Sequence, residues 1–146
     1  MVYFKHEVLG VDIYLVSGES MMPTFRSGNL ILIDTWAYKH KDPERNEFVL
    51  FKLDYTNTGI IKRVLAKPGD RVAYSHHFYK LETNSNKLDS EQSDQQYDKG
   101  TVQETVREGR YFLVGDNVLR SQDSRSFGAI SKTAIIGKVS FVLWLP

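Results

Sequence analysis

The sequence predicts an all-β fold with very little helix, a barrel-like domain of coiled antiparallel β-sheets. The chain consists largely of short apolar runs rich in valine, isoleucine, phenylalanine and tyrosine, which is typical of strands. Glycine, proline, asparagine and aspartate interrupt these runs at short intervals, as they do in turns. Only residues 36–41 and 132–135 have a pattern that allows a helical turn. Many short strands with frequent turns favour a barrel or a folded sheet.

The expected strands follow directly from the apolar runs. In chain order they are Ile13–Val16, Leu30–Asp34, Phe48–Leu53, Gly59–Ala66, Arg71–Tyr74, Phe78–Leu81, Thr101–Val106, Arg110–Val114 and Ile136–Leu143. Turns are predicted at Ser27-Gly28-Asn29, Asp42-Pro43, Asn57-Thr58-Gly59, Lys67-Pro68-Gly69-Asp70 and Gly115-Asp116-Asn117.

The length of 146 residues suits one domain with its own core, and we expect residues 1–146 to form a single domain. Residues 83–100, TNSNKLDSEQSDQQYDKG, contain only two large apolar side chains, Leu88 and Tyr97. Such a segment buries too little surface to offset the entropy lost on ordering. It is therefore predicted to be a long mobile loop within the domain.

The composition excludes several classes of function. A net charge of +1 provides no strong field for binding nucleic acid. The absence of cysteine excludes disulfides, thiol nucleophiles and thiolate metal sites. The four histidines, His6, His40, His76 and His77, have no metal-ligand spacing, so we expect neither a metal ion nor a cofactor. No run approaches the roughly 20 apolar residues that span a bilayer, so the chain as given is expected to be soluble.

The most informative pair of residues is Ser20, in VSGESMMPTF, and Lys62, in GIIKRVLAKPGDRV. A serine is a poor nucleophile without a base. A Ser-His-Asp triad that uses one of the four histidines is one alternative, but no motif in the sequence supports it. Lys62 lies inside an apolar strand, where loss of hydration would lower its pKa and make a neutral amine available near pH 7. The alternative is a lysine at a sheet edge whose amine reaches water.

A third polar segment, residues 114–130, follows the strand Arg110–Val114. Residues 115–125 of this segment include Ser121, Asp123, Ser124 and Arg125, within a few residues of one another. One interpretation is a solvated turn. The other is a rigid polar loop, in which hydroxyl groups orient an amine and an aspartate–arginine pair fixes the backbone.

Taken together, these segments resemble bacterial type I signal peptidase, a serine protease that uses a serine–lysine pair. The matching motifs are Ser20-Met21-Met22-Pro23-Thr24, Lys62-Arg63-Val64 with Pro68-Gly69-Asp70, and Gly115-Asp116-Asn117 with Ser121, Asp123-Ser124-Arg125 and Gly128. Their order and spacing agree from about residue 13 to the C-terminus. The resemblance therefore covers most of the chain.

The resemblance implies a role for each matching residue. Ser20 would attack the scissile carbonyl, and Lys62 would act as general base and later as proton donor. Ser121 would hydrogen-bond Lys62, while Asp123 and Arg125 would pair and brace the loop. The residues expected to line apolar substrate pockets are Tyr14, Val16, Met21, Phe25, Ile60 and Ile61, and ordinary core packing is the alternative for each.

The resemblance also implies a substrate and a location. Family members remove signal peptides from secreted preproteins, cutting after small residues at the first and third positions before the cleaved bond. They act at the extracytoplasmic face of the bacterial membrane, anchored by a transmembrane segment that is absent from this chain. An aromatic edge for membrane contact is hypothesised from Trp36, Tyr38, Phe127 and Trp144, with packing in the core as the alternative. The sequence indicates no oligomeric state.

Three other functions use similar sequences. A self-cleaving repressor shares the serine–lysine chemistry but needs an Ala-Gly bond upstream of Ser20, which this chain lacks. A conjugation-type pilin-processing peptidase is a close relative of signal peptidase. A catalytically weak or inactive homologue acting in pilus assembly would be expected to lack Ser20 or Lys62, and both are present.

Overall fold

The computed structural model describes residues 10–82 and 100–143, together with the backbone of residues 2–8. Eleven strands lie in these ranges: β1 Val2–Val8, β2 Val11–Leu15, β3 Leu30–Asp34, β4 Phe48–Phe51, β5 Ile60–Ala66, β6 Arg71–Tyr74, β7 Tyr79–Glu82, β8 Val102–Thr105, β9 Arg110–Val114, β10 Ile130–Ser131 and β11 Ile135–Leu143. The predicted loop 83–100, apart from Gly100, and the predicted membrane contact Trp144 lie outside the described residues.

The strands form two sheets, and all their described pairings are antiparallel. The larger sheet has the order β1-β2-β3-β11-β4-β5-β9-β10, and the smaller has the order β7-β6-β8. Irregular registers in β1, β5 and β11 bend the larger sheet, because a bulge increases the local twist of a strand. The predicted fold class, a barrel-like arrangement of coiled antiparallel sheets, is therefore confirmed.

Helix is confined to short segments in the described part of the chain. The single α-helical turn is α1, Ser124–Phe127, and two 3-10 turns span Val118–Arg120 and Lys132–Ala134. The second agrees with the helical turn expected at 132–135. The other expected helical segment, 36–41, contains hydrogen-bonded turns instead of a helix. None of the described helices is long and apolar enough to cross a membrane.

The core has three apolar clusters, which follow the sheet from β2 to the smaller sheet. The first lies between β2, β3 and the turns over residues 20–25, the second between β4, β5 and β9, and the third beneath β6. Strand β5 contributes to all three, with Ile61, Val64 and Ala66 each buried in a different one. Lys62 is thus carried by a strand whose neighbours fix it on both sides.

Candidate active site

Ser20 lies in the connection between β2 and β3, in a tight series of turns over residues 20–25. The amide of Phe25 donates to the carbonyl of Met21 at 2.9 Å, and the amide of Met22 donates to the carbonyl of Glu19 at 3.1 Å. The side chains of Met21 and Phe25 are buried in the first core cluster. Two apolar anchors and the local hydrogen bonds therefore hold Ser20 in one place while leaving it partly accessible.

Lys62 meets Ser20 from strand β5. Its Nζ lies 2.6 Å from Ser20 Oγ, within hydrogen-bond distance, and the residue is only 2% exposed. Among the described residues, no carboxylate lies within ion-pair distance of this amine. Burial is the main cause that lowers the pKa of Lys62 from 10.5 to about 8, against a smaller opposing effect of Asp123 and Asp116. A substantial fraction of the amine is therefore neutral slightly above physiological pH.

Asp116 connects the three motif segments. Its carboxylate accepts two hydrogen bonds from the Arg63 guanidinium, at 2.8 and 2.7 Å, and a third from the Thr24 hydroxyl. Burial acts to raise the pKa of Asp116, but the hydrogen bonds from Arg63 and Thr24 outweigh it and hold the pKa below its usual value. The bidentate pair fixes the β5 backbone next to Lys62, and the hydrogen bond from Thr24 fixes the turns over residues 20–25.

The Gly115–Asn117 segment also contacts Ser20 and Glu19 directly. The Asn117 amide donates to the Ser20 carbonyl at 3.0 Å, and Asn117 Nδ2 donates to the Glu19 carbonyl at 3.1 Å. A Cβ atom on Gly115 would lie 2.6 Å from the Ser20 carbonyl oxygen and would collide with the Ser121 side chain. Glycine is therefore required for the close approach of this loop to Ser20.

Asp123 and Arg125 form a buried ion pair, with side chains 0% and 3% exposed and an Nε–Oδ1 distance of 2.8 Å. Asp123 also accepts from the Gly115 amide at 2.9 Å. Burial acts to raise the pKa of Asp123, but the hydrogen bonds from Arg125 and the Gly115 amide lower it overall. The guanidinium of Arg125 donates further to the carbonyls of Val118 and His76, so the pair joins the loop to the smaller sheet.

Asp123 and Arg125 lie on either side of the first residue of the helical turn α1 and not along a strand. Asp123 precedes the first residue of α1, and its Oδ1 accepts from the Arg125 amide at 3.1 Å. An aspartate in this position satisfies an amide that the helix itself leaves unpaired. The ion pair forms across the start of a helical turn.

Ser121 lies against Gly115, and its Oγ atom is buried. This hydroxyl contributes to lowering the pKa of Asp123, but it makes no hydrogen bond to Lys62, so the bond that the resemblance implies is not formed in this structure. The carbonyl of Ser121 lies 3.4 Å from Arg125 Nη2. Ser121 thus lies close to Ser20, and its backbone carbonyl contacts Arg125 of the ion pair.

A cleft of about 220 Å³ opens beside the Ser20–Lys62 pair. Four of the predicted substrate-binding residues line it: Val16, Met21, Ile60 and Ile61. The other two, Tyr14 and Phe25, do not line it and are buried in the first core cluster. The remaining lining residues are Ser17, Gly18, Ser20, Thr58, Gly59 and Lys62. The cleft is therefore bordered by apolar side chains and by two backbone segments, 16–18 and 58–61.

The Ser20 amide is available to a ligand, since no described residue accepts a hydrogen bond from it. The position two residues earlier is Gly18, which has a φ of 89° and offers no side-chain donor. Within the described residues, no cluster of histidine, aspartate and glutamate could bind a metal ion. The polar groups at the cleft are thus the hydroxyls of Ser17, Ser20 and Thr58, the buried Lys62 amine and backbone groups.

The aromatic edge expected for membrane contact is not formed as predicted. The Tyr38 hydroxyl donates to Glu47 at 2.7 Å, and the rings of Tyr38 and Phe127 pack against the second core cluster. Trp36 is 52% exposed, but it lies over Gly10, near the end of β3 that is farther from Ser20. Of the described members of this set, only Trp36 faces solvent, because the others have core or hydrogen-bond partners.

Sequence reasoning assigned no role to Thr24, Arg63 or Asp116, although all three lie within the quoted motifs. Their positions next to Ser20, Lys62 and Gly115 were the available signal. What the sequence could not show is that the three side chains meet, since they are separated by 39, 53 and 92 positions.

Known proteins match nearly the whole chain. The family model described as "Signal peptidase, peptidase S26" matches residues 2–144. A signal peptidase I of Bacillus caldolyticus is 35% identical over 149 residues, covering 90% of this chain and 78% of the relative. A signal peptidase IB of Staphylococcus aureus is 34% identical over 151 residues, covering 90% of this chain and 76% of the relative.

A solved structure of a signal peptidase I from Enterococcus faecalis V583 is 23% identical with a TM-score of 0.49, covering 68% of this chain and 98% of that one. The family model spans nearly the whole chain, and the two curated relatives each exceed 30% identity over most of their length. The chain therefore belongs to the signal peptidase family, peptidase S26, and is a serine hydrolase of the type that removes signal peptides.

Proposed function

We propose that this chain cleaves signal peptides from preproteins with Ser20 as the nucleophile and Lys62 as the general base. The observation that carries the proposal is the 2.6 Å contact between Ser20 Oγ and a buried Lys62 amine that has no carboxylate partner among the described residues. A lysine whose pKa is lowered to about 8 by burial can accept the proton of a serine hydroxyl near neutral pH.

In the acylation step, Ser20 Oγ attacks the carbonyl carbon before the cleaved bond while its proton passes to neutral Lys62 Nζ. The resulting tetrahedral intermediate carries a negative oxygen. When it collapses, the C–N bond breaks, and the Lys62 ammonium gives its proton to the leaving amine. The products of this step are an acyl-enzyme on Ser20, a free amine and a lysine that is again neutral.

In the deacylation step, a water molecule takes the place of the leaving amine. Lys62 accepts a proton from this water as its oxygen attacks the acyl carbon. The ammonium then returns the proton to Ser20 Oγ as the ester bond breaks, which releases the acid and regenerates the pair. The Ser20 amide donates to the developing oxyanion in both steps, and such a donor typically contributes about 10²–10³ in rate.

The cleft provides a place for the part of an extended peptide before the cleaved bond. Segments 16–18 and 58–61 border it and provide backbone groups that can pair with such a peptide. Its apolar lining, which includes Val16, Met21 and Ile61, suits apolar side chains at the first and third positions before that bond. We infer the preference for small residues at these positions from the resemblance to the family.

An apolar outer face of the larger sheet supports action at a membrane surface. Ile31 and Ile33 point into the core, so Leu30 and Leu32 point away from it. Leu15 and Leu143 pair with Leu30, while Ile13 and Phe141 pair with Leu32. These six residues define the outer apolar face, in which Phe141 is 57% and Leu143 48% exposed.

This face adjoins the connection that carries Ser20, because β2 ends and β3 begins at that connection. An exposed apolar surface of this kind is typical of contact with a membrane or a protein. We assign it to the membrane, at the extracytoplasmic face where a signal peptide emerges. Residues 1–146 would act there as a single catalytic domain.

The two remaining alternatives predict different substrates. An assembly factor without activity has no need of a buried lysine in contact with a serine, since burying the amine costs stability. A pilin-processing peptidase would share the Ser20–Lys62 chemistry but would cleave pilin precursors in preference to other preproteins.

The direct test is cleavage of a preprotein and of a short peptide with alanine at the first and third positions before the bond. Ser20→Ala, Lys62→Ala and the double variant are each expected to reduce kcat/KM to background, with no further loss in the double variant, because the two groups act as one unit. Lys132→Ala, which removes an exposed lysine outside the cleft, is the control. Retention of a tenth or more of the parent rate by Lys62→Ala would reject Lys62 as the base.

A further inference from the structure

A charged pair lies immediately beside the nucleophile and takes no part in the proposed chemistry. The guanidinium of Arg120 donates to the carboxylate of Glu19, the residue preceding Ser20. The two side chains are 68% and 51% exposed, respectively. The pair is also fixed through the backbone, because Asn117 Nδ2 donates to the Glu19 carbonyl and the Asn117 amide donates to that of Ser20.

The location of this pair relative to the cleft indicates which part of a substrate it would contact. The cleft is lined by residues 16–18, 20–21 and 58–62, and no residue of the 115–121 loop belongs to it. The acyl part of a substrate occupies the cleft and ends at Ser20 Oγ, where the bond is cut. The leaving part must continue beyond Ser20, away from the cleft. Residues 117–120 contact Glu19 and Ser20 on this side, outside the cleft.

We propose that Glu19 and Arg120 form a subsite for the first residues of the leaving chain, in which the paired charges let both acidic and basic residues be accepted. This inference rests on the proposed function and concerns the leaving side of the same site. The Val118–Arg120 turn has no buried residue, so it is accessible to a passing chain. An acidic residue of that chain can pair with Arg120, and a basic residue can pair with Glu19.

In the parent protein the two charges balance, so the leaving chain is accepted with little regard to its charge. Removing one partner breaks this balance in a known direction. Glu19→Gln leaves a lone cation that favours acidic leaving residues, and Arg120→Gln leaves a lone anion that favours basic ones. Because both groups are exposed, each effect is expected to be about two- to fivefold, the usual scale of an exposed ion pair.

The experiment uses three peptides with the same acyl side and with aspartate, asparagine or lysine as the second leaving residue. The ratio of kcat/KM for the aspartate peptide to that for the lysine peptide is measured for the parent and each variant. This ratio is expected to rise about two- to fivefold in Glu19→Gln and to fall by a similar factor in Arg120→Gln. Both changes should shrink in 1 M salt, where the screening length falls to about 3 Å.

Matched controls separate a local effect from the net charge of the protein. Asp42 and Lys132 form another exposed ion pair, and neither residue lines the cleft. Asp42→Asn and Lys132→Gln therefore change the net charge by the same amounts, and they should leave the ratio at the parent value. An equal shift in these controls would overturn the inference, because it would show a general electrostatic effect.

The asparagine peptide distinguishes the two proposals. If the parent does not cleave it, the proposed function fails, and the inference fails with it. If the parent cleaves it and the ratio is the same in Glu19→Gln, Arg120→Gln and the parent, the proposed function stands and the leaving-side subsite is wrong.

Discussion

Replacing Asp123 by alanine removes one partner of the buried ion pair and strands the other. Arg125, 3% exposed, would keep only carbonyl acceptors for its charge, and the Gly115 amide would lose its acceptor. Breaking a pair of this kind costs roughly 3–5 kcal/mol. For 146 residues, the entropy of unfolding is about 0.3 kcal/mol/K, so the melting temperature should fall by roughly 10–16 °C.

The activity of the same variant should fall together with its stability, because Asp123 positions the loop that holds the Ser20 carbonyl. Thermal unfolding followed by circular dichroism and peptide cleavage measured well below the transition test both effects. Asp42→Ala, which breaks an exposed pair, should cost only about 0–1 kcal/mol and leave cleavage unchanged. The double variant Asp123→Ala/Arg125→Met should recover part of the stability, since no charge is then stranded.

Two outcomes would refute this reasoning. If Asp123→Ala melts within about 3 °C of the parent, the pair contributes no more than an exposed one. If the double variant is less stable than Asp123→Ala, the loss comes from the missing hydrogen bonds of Arg125 and not from a stranded charge.

Three further predictions concern the Ser20–Lys62 pair. The value of kcat/KM should rise with pH and level off above about 8, because the neutral amine is the base. A profile that reaches half of its plateau value at pH 6 or below would contradict this. Lys62→Met should abolish cleavage yet raise the melting temperature at pH 7 by several degrees. The unfolded chain binds the Lys62 proton more tightly than the folded protein does, so the parent should gain stability relative to the variant as the pH rises from 8 to about 10.5. The absence of this gain would show that the pKa of Lys62 is not lowered in the folded protein. Gly115→Ala should lower kcat at least tenfold, because its Cβ would push on the Ser20 carbonyl; an unchanged kcat would mean that the loop moves freely.

The strands that could be predicted are those with strong patterns of their own. Strands β3, β6 and β9 have the predicted bounds, since each is an apolar run between turn residues. Strand β1 was not predicted, because Lys5, His6 and Glu7 interrupt its apolar pattern, and it pairs only with β2 at the sheet edge. Strand β10 has two residues, and its existence depends on its partners in β9.

The candidate site divides in a similar way. Ser20 and Lys62 could be singled out because each has unusual surroundings in the sequence. The network around Asp116 could not, since a bond to Thr24 or Arg63 depends on the fold and leaves no periodic signal. The same holds for α1, a single turn whose start is fixed by the Asp123 side chain and not by an apolar pattern.

The position of β11 has a consequence for the order in which the protein is made. This strand is the last of the described chain, yet it lies between β3 and β4 and joins the half of the sheet that bears Ser20 to the half that bears Lys62. During synthesis it emerges after the other described strands, and its contacts with β3 span about a hundred residues. Long-range pairing of this kind is slow to form. Ser20 and Lys62 therefore lie in parts of the larger sheet that stay unjoined until residues 135–143 have been made and have paired with β3 and β4.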